Sequence, residues 1–396
     1  MRVNNKTIDS IQALRGIAAF LVIFFHFQFY FNFDGYDIGT FLFNNGRIGV
    51  PIFFVISGFI MAYTTTRVGI KESPKFIIKR ILRIVPLYVI ATLTYILILN
   101  FTLPNTADLN DLTDISKSLL FYPLQNYDAP YFGWSTLAVG WTLNYEMFFY
   151  LAFAISIAFG RYCWAAMAIG FISLLIVFPL ISTGAWSYLP EVNYGFEYAY
   201  ASLMSNPIMW NFVAGIACGI IIKNNIIKIS KITSATLVVV ISLLYLAQYA
   251  KNINPGWGFT EWGFGAAALI LFLVNHEHNY GLKIPFILKY FGEISFSLYL
   301  NHLIVKEFIF MLGLKFNIEI FKAGPVCGVI IIAITIALSA WTRKYIEIEL
   351  SNFIKRKLSS MITRNPQSRH TDVMHTLVRT KDHGQVQGTA PTKPRL

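Results

Sequence analysis

The sequence predicts an all-α membrane protein, a polytopic bundle of about ten transmembrane helices with both termini in the cytoplasm. Three observations predict it. Of the 396 residues, 56% are hydrophobic and 13% charged, and the mean hydropathy is +0.56, outside the usual range of a soluble domain. Apolar runs of about 20 residues, enough to cross a bilayer, recur along the chain. The basic residues also fall mostly on one side once those runs are threaded through a membrane.

The runs lie at roughly 8–31, 48–66, 84–101, 138–159, 162–182, 207–222, 232–250, 260–275, 292–313 and 324–341. The first has a longer apolar stretch than a secretory signal, contains Arg15 and is followed by no small-residue cleavage site, so it is expected to stay as a span. The second, "GVPIFFVISGFI", carries small residues of the kind that pack transmembrane helices. Between the third and fourth runs, 102–137 is a polar, acidic and then aromatic external loop. A second external loop, 183–206, holds Trp186 and several Tyr and Phe but no Lys or Arg; it is an interfacial aromatic belt or a platform for sugars. The three cysteines, Cys163, Cys218 and Cys327, fall inside spans and are packing residues rather than a disulfide framework or metal site. No internal repeat stands out. The organisation expected is a transmembrane domain over 1–345 and a basic cytoplasmic tail over 346–396, disordered from about 365. No soluble catalytic domain is present, so any chemistry belongs to the helices and loops.

The net charge is +12. Ten spans put Arg2, Lys6, Arg67, Lys71, Lys75, Lys79, Arg80, Arg83, Arg161, Lys223, Lys228, Lys231, Lys283, Lys289 and the tail on the cytoplasmic side. The other side keeps little more than Arg47, Lys117, Lys251, Lys315 and Lys322. This is the positive-inside pattern of a multi-pass inner-membrane protein, and it removes most of the case for nucleic acid as a partner.

Against this background the ionisable residues inside the spans stand out. Arg15 and His26 are eleven residues apart, about 1100° or three turns plus about 20°, with a rise of roughly 16.5 Å. They share a helix face, Arg15 near the cytoplasmic end and His26 about half a bilayer deeper. Snorkelling explains Arg15 alone and a packed neutral imidazole explains His26 alone; together they suggest a wet interior. In "RVGIKESPKFIIKRILRIVPLY" six basic residues face Glu72 alone. Arg80 and Arg83, at i and i+3, place two guanidinium forks side by side for phosphate oxygens, whereas Lys71, Lys75 and Lys79 suit membrane-surface charge. Glu146, in "GWTLNYEMFFYLAF", is either a structural partner or a carboxylate that orients His26. Ser295, Tyr299, His302 and Lys306 form one polar stripe in the ninth span, a pathway lining or a hydrogen-bonded seam. Ser57 is a packing serine before it is a nucleophile.

Taken together, "LRGIAAFLVIFFH", "GVPIFFVISGFI", "RILR", "WTLNYEMFFY" and "GEISFSLYLNH", in that order over residues 8 to about 345, resemble the integral-membrane acyltransferase 3 family of bacterial carbohydrate O-acyltransferases. The resemblance implies a ten-helix domain that takes an acyl group, commonly acetyl from acetyl-CoA in the cytoplasm, to a sugar hydroxyl of a free or lipid-linked glycan, with no metal. It implies that Arg15 and His26 are the essential pair and that Arg80 and Arg83 are the cytoplasmic arginine motif. Glu146 matches the first position of a pattern that often reads Glu-Glu-Gln, whose second and third positions are here Met147 and Phe148. Some relatives carry a fused extracytoplasmic domain; this chain would finish the transfer itself or with a partner in glycan assembly. The residues agree: coenzyme A has phosphates for Arg15, Arg80 and Arg83, and a pantetheine arm long enough to reach toward His26 as base or nucleophile. A secondary transporter of an anionic metabolite is the alternative that also accounts for buried Arg15 and His26, and a non-catalytic assembly scaffold is a third.

Overall fold

The computed structural model of the protein describes residues 8–33, 35–102, 112–321 and 323–364. Arg2, Lys6, Lys322, part of the first long loop and the tail from 365 lie outside the described residues. The regular secondary structure of the described residues is helical, with one isolated two-residue bridge, Phe33 to Tyr36. Its long helices are α1 Asp9–Phe27, α2 Gly49–Thr64, α3 Ser73–Thr102, α4 Trp141–Ala158, α5 Cys163–Ile172, α6 Trp210–Lys223, α7 Lys231–Ala250, α8 Phe264–Tyr280, α9 Ser295–Lys315 and α10 Pro325–Thr342.

Eight helical stretches are long and apolar enough to cross a membrane, from Asp9–Phe31 to Pro325–Lys357. The protein is therefore a polytopic membrane protein. The two remaining expected spans, 138–159 and 260–275, are helical as α4 and α8, but Asn144 and Glu146 interrupt the first, and Asn275, His276, Glu277 and His278 end the second. Most of α4 is buried, so its polar residues meet protein rather than lipid.

Hydrogen bonds fix which helix ends share a face. The carboxylate of Glu277 accepts the backbone N–H groups of Asp9 and Ser10 at 2.8 and 2.9 Å, satisfying two donors that a helix start leaves free. Lys289 pairs with Asp9 at 3.0 Å. The N–H of Gly69 donates to the Ile157 carbonyl at 2.8 Å, and Lys223 donates to the Thr65 carbonyl. These contacts gather Arg67, Lys71, Arg161, Lys223 and Lys289 at the face where α1 begins, called here the near face. On this face the carboxyl of Glu72, held by Lys75, stays below the usual carboxylate range. Asn45 donates to the Tyr249 carbonyl at 2.7 Å on the far face, which holds Arg47 and Lys251.

The backbones of α2 and α6 pack in direct contact. A Cβ on Gly215 would lie 2.0 Å from the Val55 carbonyl oxygen, and one on Gly58 would lie 2.0 Å from that of Phe212. With Gly219 one turn on, "GIACG" is a small-residue seam that lets the two backbones touch. Stacked rings extend the contact: Phe212 lies 4.6 Å from Phe54 and 4.5 Å from Phe149 of α4. Gly215→Leu must push α2 from α6 and is expected to cost about 1–3 kcal/mol or more. Thermal unfolding in detergent checks this, and an unchanged midpoint would mean that the backbones do not touch.

The two long loops, expected to lie outside, pack on each other. Asn126 donates to the Phe196 carbonyl at 2.8 Å, and Tyr122 stacks on Tyr200 at 5.6 Å.

Candidate active site

Two helices deliver three guanidinium groups to one cavity. Arg15 comes from α1, and Arg80 and Arg83 from successive turns of α3; the opposite wall has Ser57 of α2, Glu146 and Tyr150 of α4, and Ser295 and Tyr299 of α9. The cavity volume is about 70 Å³, room for on the order of five water-sized groups at roughly 10–15 Å³ each. An acyl thioester end fits such a space.

Among the described residues no carboxylate stands within ion-pair distance of Arg15, Arg80 or Arg83. Gln12 accepts from Arg15 at 3.3 Å. Arg80 lies 5.3 Å from the Phe76 ring centre and 5.4 Å from that of Tyr150, and its Nε is buried with no partner. Buried polar groups without partners are rare. Three cations around one cavity, one with an orphaned donor, present a strong local field to an anion.

The carboxylates nearby are engaged elsewhere. Glu146 accepts from Ser57 at 3.0 Å and, from one turn along its own helix, from the Tyr150 hydroxyl. Glu347 lies beyond α10, where the helix continues as Arg343–Leu350 and Ser351–Arg364. It accepts from Ser297. Arg343 pairs with Glu293 at 2.8 Å, tying this extension to the start of α9.

His26 is not part of the cavity lining. A close approach at the near face brings it to His302 instead. A Cβ on Gly16 would lie 2.9 Å from the Gly292 backbone nitrogen, and ten residues further along each of these two segments stand His26 and His302. On the His302 side the helix is interrupted at Ile294, yet the two imidazoles arrive at one level, ring centres 5.1 Å apart. His302 is fully buried. Its Nδ1 lies 3.3 Å from the Leu298 carbonyl, an acceptor only, so Nδ1 carries the proton and Nε2 is left with a lone pair. That Nε2 has no partner among the described residues. Tyr299 connects the two regions. Its ring lies 6.1 Å from His302, while its hydroxyl meets Thr142 at 2.8 Å and donates to the Val139 carbonyl at 3.2 Å.

The sequence-derived residues thus fall in two adjoining groups. Arg15, Arg80, Arg83, Glu146, Ser295 and Tyr299 meet in the cavity; His26 and His302 meet beyond Tyr299. Glu146 does not reach His26 to orient it, but bonds Ser57 and Tyr150. Met147 and Phe148 turn into the packed core, not the cavity. Tyr150, Thr142 and Glu347 were missed. Tyr150 was discoverable as the i+4 neighbour of Glu146; nothing in the local sequence marks the other two.

Residues 8–344 match the model of the acyltransferase 3 family, described as "Acyltransferase domain". The chain is 29% identical to the exopolysaccharide production protein ExoZ of Rhizobium meliloti (strain 1021) over 283 residues, 70% of this chain and 81% of that protein. It is 24% identical to nodulation protein 10 of Rhizobium leguminosarum bv. viciae over 356 residues, 83% of this chain and 91% of that protein. No solved structure matches. With more than four-fifths of its length under one family model and its charged side chains gathered inside a helical bundle, the chain belongs to the acyltransferase 3 family of membrane acyltransferases.

Proposed function

We propose that the protein is an O-acyltransferase of the inner membrane that moves an acyl group, acetyl in the first instance, from cytoplasmic acyl-CoA to a hydroxyl of a surface or exported carbohydrate. The observation that carries this reading is the convergence of Arg15, Arg80 and Arg83, without carboxylate partners, on one cavity. Guanidinium forks in that state suit phosphate oxygens, and the cavity's size suits the acyl end of a donor whose nucleotide stays at the mouth. The exopolysaccharide and nodulation names of the two relatives support a carbohydrate acceptor.

In the reaction so proposed, His26 takes the proton of the acceptor hydroxyl as its oxygen attacks the thioester carbon; the carbon–sulfur bond breaks and the thiolate leaves, to be protonated in turn. His302 is the neighbour that fixes His26: its free Nε2 lone pair can accept an N–H from the facing imidazole and set which nitrogen acts as base. Ser295 and Tyr299 line the way between donor cavity and histidines. Glu146 and Glu347 offset part of the arginine charge from positions where they do not compete with phosphate.

The test is protein in lipid nanodiscs given labelled acetyl-CoA and bacterial exopolysaccharide. Label in an alkali-labile ester on the glycan supports the reading; absence of transfer, with uptake of an unchanged anion into proteoliposomes, would support a transporter instead. Orientation is tested separately. If the near face is cytoplasmic, the reading its basic residues support, a reporter active only in the cytoplasm is expected to work at either terminus. Efficient labelling of a cysteine placed in the tail by an impermeant external reagent would show the reverse orientation.

A further inference from the structure

The far face holds a cation that the donor site does not use. Arg47 lies one turn before Val50, which lines the arginine cavity. Its guanidinium sits 5.7 Å from the ring centre of Trp257 and 5.5 Å from that of Trp262. Its Nε is buried and has no partner, and among the described residues no carboxylate comes within ion-pair distance. A snorkelling arginine would reach water along its whole head group; here two indoles, both over nine-tenths buried, seal one side of the fork. The nearby buried carboxylate of Glu261 accepts from the Gly258 N–H at 2.6 Å instead.

An aromatic wall joins this cation both to solvent and to the cavity. Trp257 meets Trp141 edge to face at 5.3 Å, and Trp141 precedes Thr142, whose hydroxyl contacts Tyr299 at the cavity's inner end. Toward the surface, Tyr131 meets Trp257 at 5.9 Å and stacks on Trp134 at 3.9 Å, and Trp134 is 38% exposed. An exposed indole offers an apolar face to a sugar ring, and a fork with a sealed, unpartnered donor offers parallel hydrogen bonds to an oxyanion.

We infer that Arg47 and Trp134 form an acceptor subsite on the far face and that its ligand is a carbohydrate bearing an oxyanion, either the carboxylate of an acidic sugar or the diphosphate of a lipid-linked glycan. This rests on the acyltransferase reading only for the word acceptor; the binding stands by itself. Trp134 carries the sugar face and Arg47 selects the charge.

Binding to protein in nanodiscs tests it, read by calorimetry with two pairs of probes. The first pair is a glucuronate-containing oligosaccharide and its carboxyl-reduced neutral counterpart; the second is a polyprenyl-diphosphate sugar and a polyprenyl sugar without phosphate. The protein is expected to prefer one anion over its neutral partner by about tenfold or more, and the pair that shows it identifies the source of the charge. Arg47→Gln is expected to abolish the preference and Arg47→Lys, which keeps charge without the fork, to keep a fraction of it. Equal binding of charged and neutral probes, or an undiminished preference in both variants, would overturn the inference. Coenzyme A binding, measured in parallel, reports that the variants are folded. Failure of the wild type to bind coenzyme A would count against the donor reading while leaving the Arg47 result in force.

Discussion

His26→Ala is expected to lower acyl transfer by about 10²–10⁴-fold, the range for loss of a general acid or base, while coenzyme A affinity stays near that of the wild type. The split between the two readouts follows from the geometry. His26 is outside the arginine cavity and its ring faces His302 at 5.1 Å, so its removal leaves Arg15, Arg80 and Arg83 where they are. Nor does it open the core widely, since the ring is only partly buried. Transfer to the glycan in proteoliposomes, measured beside coenzyme A binding, checks both halves. Near-normal transfer would remove His26 from the chemistry, and parallel loss of binding and transfer would make it a structural residue.

The second large effect is expected at the other end of the path. Replacing Arg80 and Arg83 together by Gln should weaken coenzyme A binding by about 10²–10⁴-fold, because each lost charge-assisted hydrogen bond costs roughly 1.5–3 kcal/mol and about 1.4 kcal/mol is a factor of ten. Lys at both positions should rescue little, since it keeps charge but not the fork. Lys71 and Lys75 are the control. Both are exposed, and Lys75 bonds Glu72 at 2.8 Å in the near-face loop, so replacing them should change affinity far less. Equal losses for the two pairs would mean that the donor senses only the general positive charge of the near face.

Much of this could be seen in the sequence because a bilayer simplifies the code: long apolar runs become helices, and ionisable residues within them must face inward. Hence the spans fell close to their observed places, and Arg15, Arg80, Arg83, Glu146, Ser295 and Tyr299 converge. Helix lengths were less legible. Hydrophobicity starts the third run at 84, whereas α3 begins at Ser73, because an amphipathic basic turn continues a helix that composition alone would end. The tenth helix similarly runs past the apolar stretch, carrying Glu347 to Ser297. What the sequence could not show is which polar residues from different helices share a level. The meeting of His26 with His302 depends on the Gly16–Gly292 contact, and the use of Glu146 by Ser57 and Tyr150 depends on how α2 and α4 pack. Arg47 counted in the sequence only as a minor charge on the sparse side of the membrane; its tryptophan flanks come from residues more than two hundred positions away.

The Tyr299 hydroxyl, held between Thr142 and the Val139 carbonyl, bears on a problem every enzyme of this architecture must meet. A bundle with charged groups deep inside risks becoming a pore, and each elementary charge leaking down a 100 mV potential dissipates about 2.3 kcal/mol. Here the lining of the arginine cavity includes Phe53, Leu143 and a phenol whose hydroxyl is already engaged, an arrangement that would hinder a continuous water chain from the near face to the far one while Tyr299 keeps those contacts. Ion and proton leak would then be set by the contacts of Tyr299 rather than by the arginines, which would let a charged interior sit in an energised membrane without short-circuiting it.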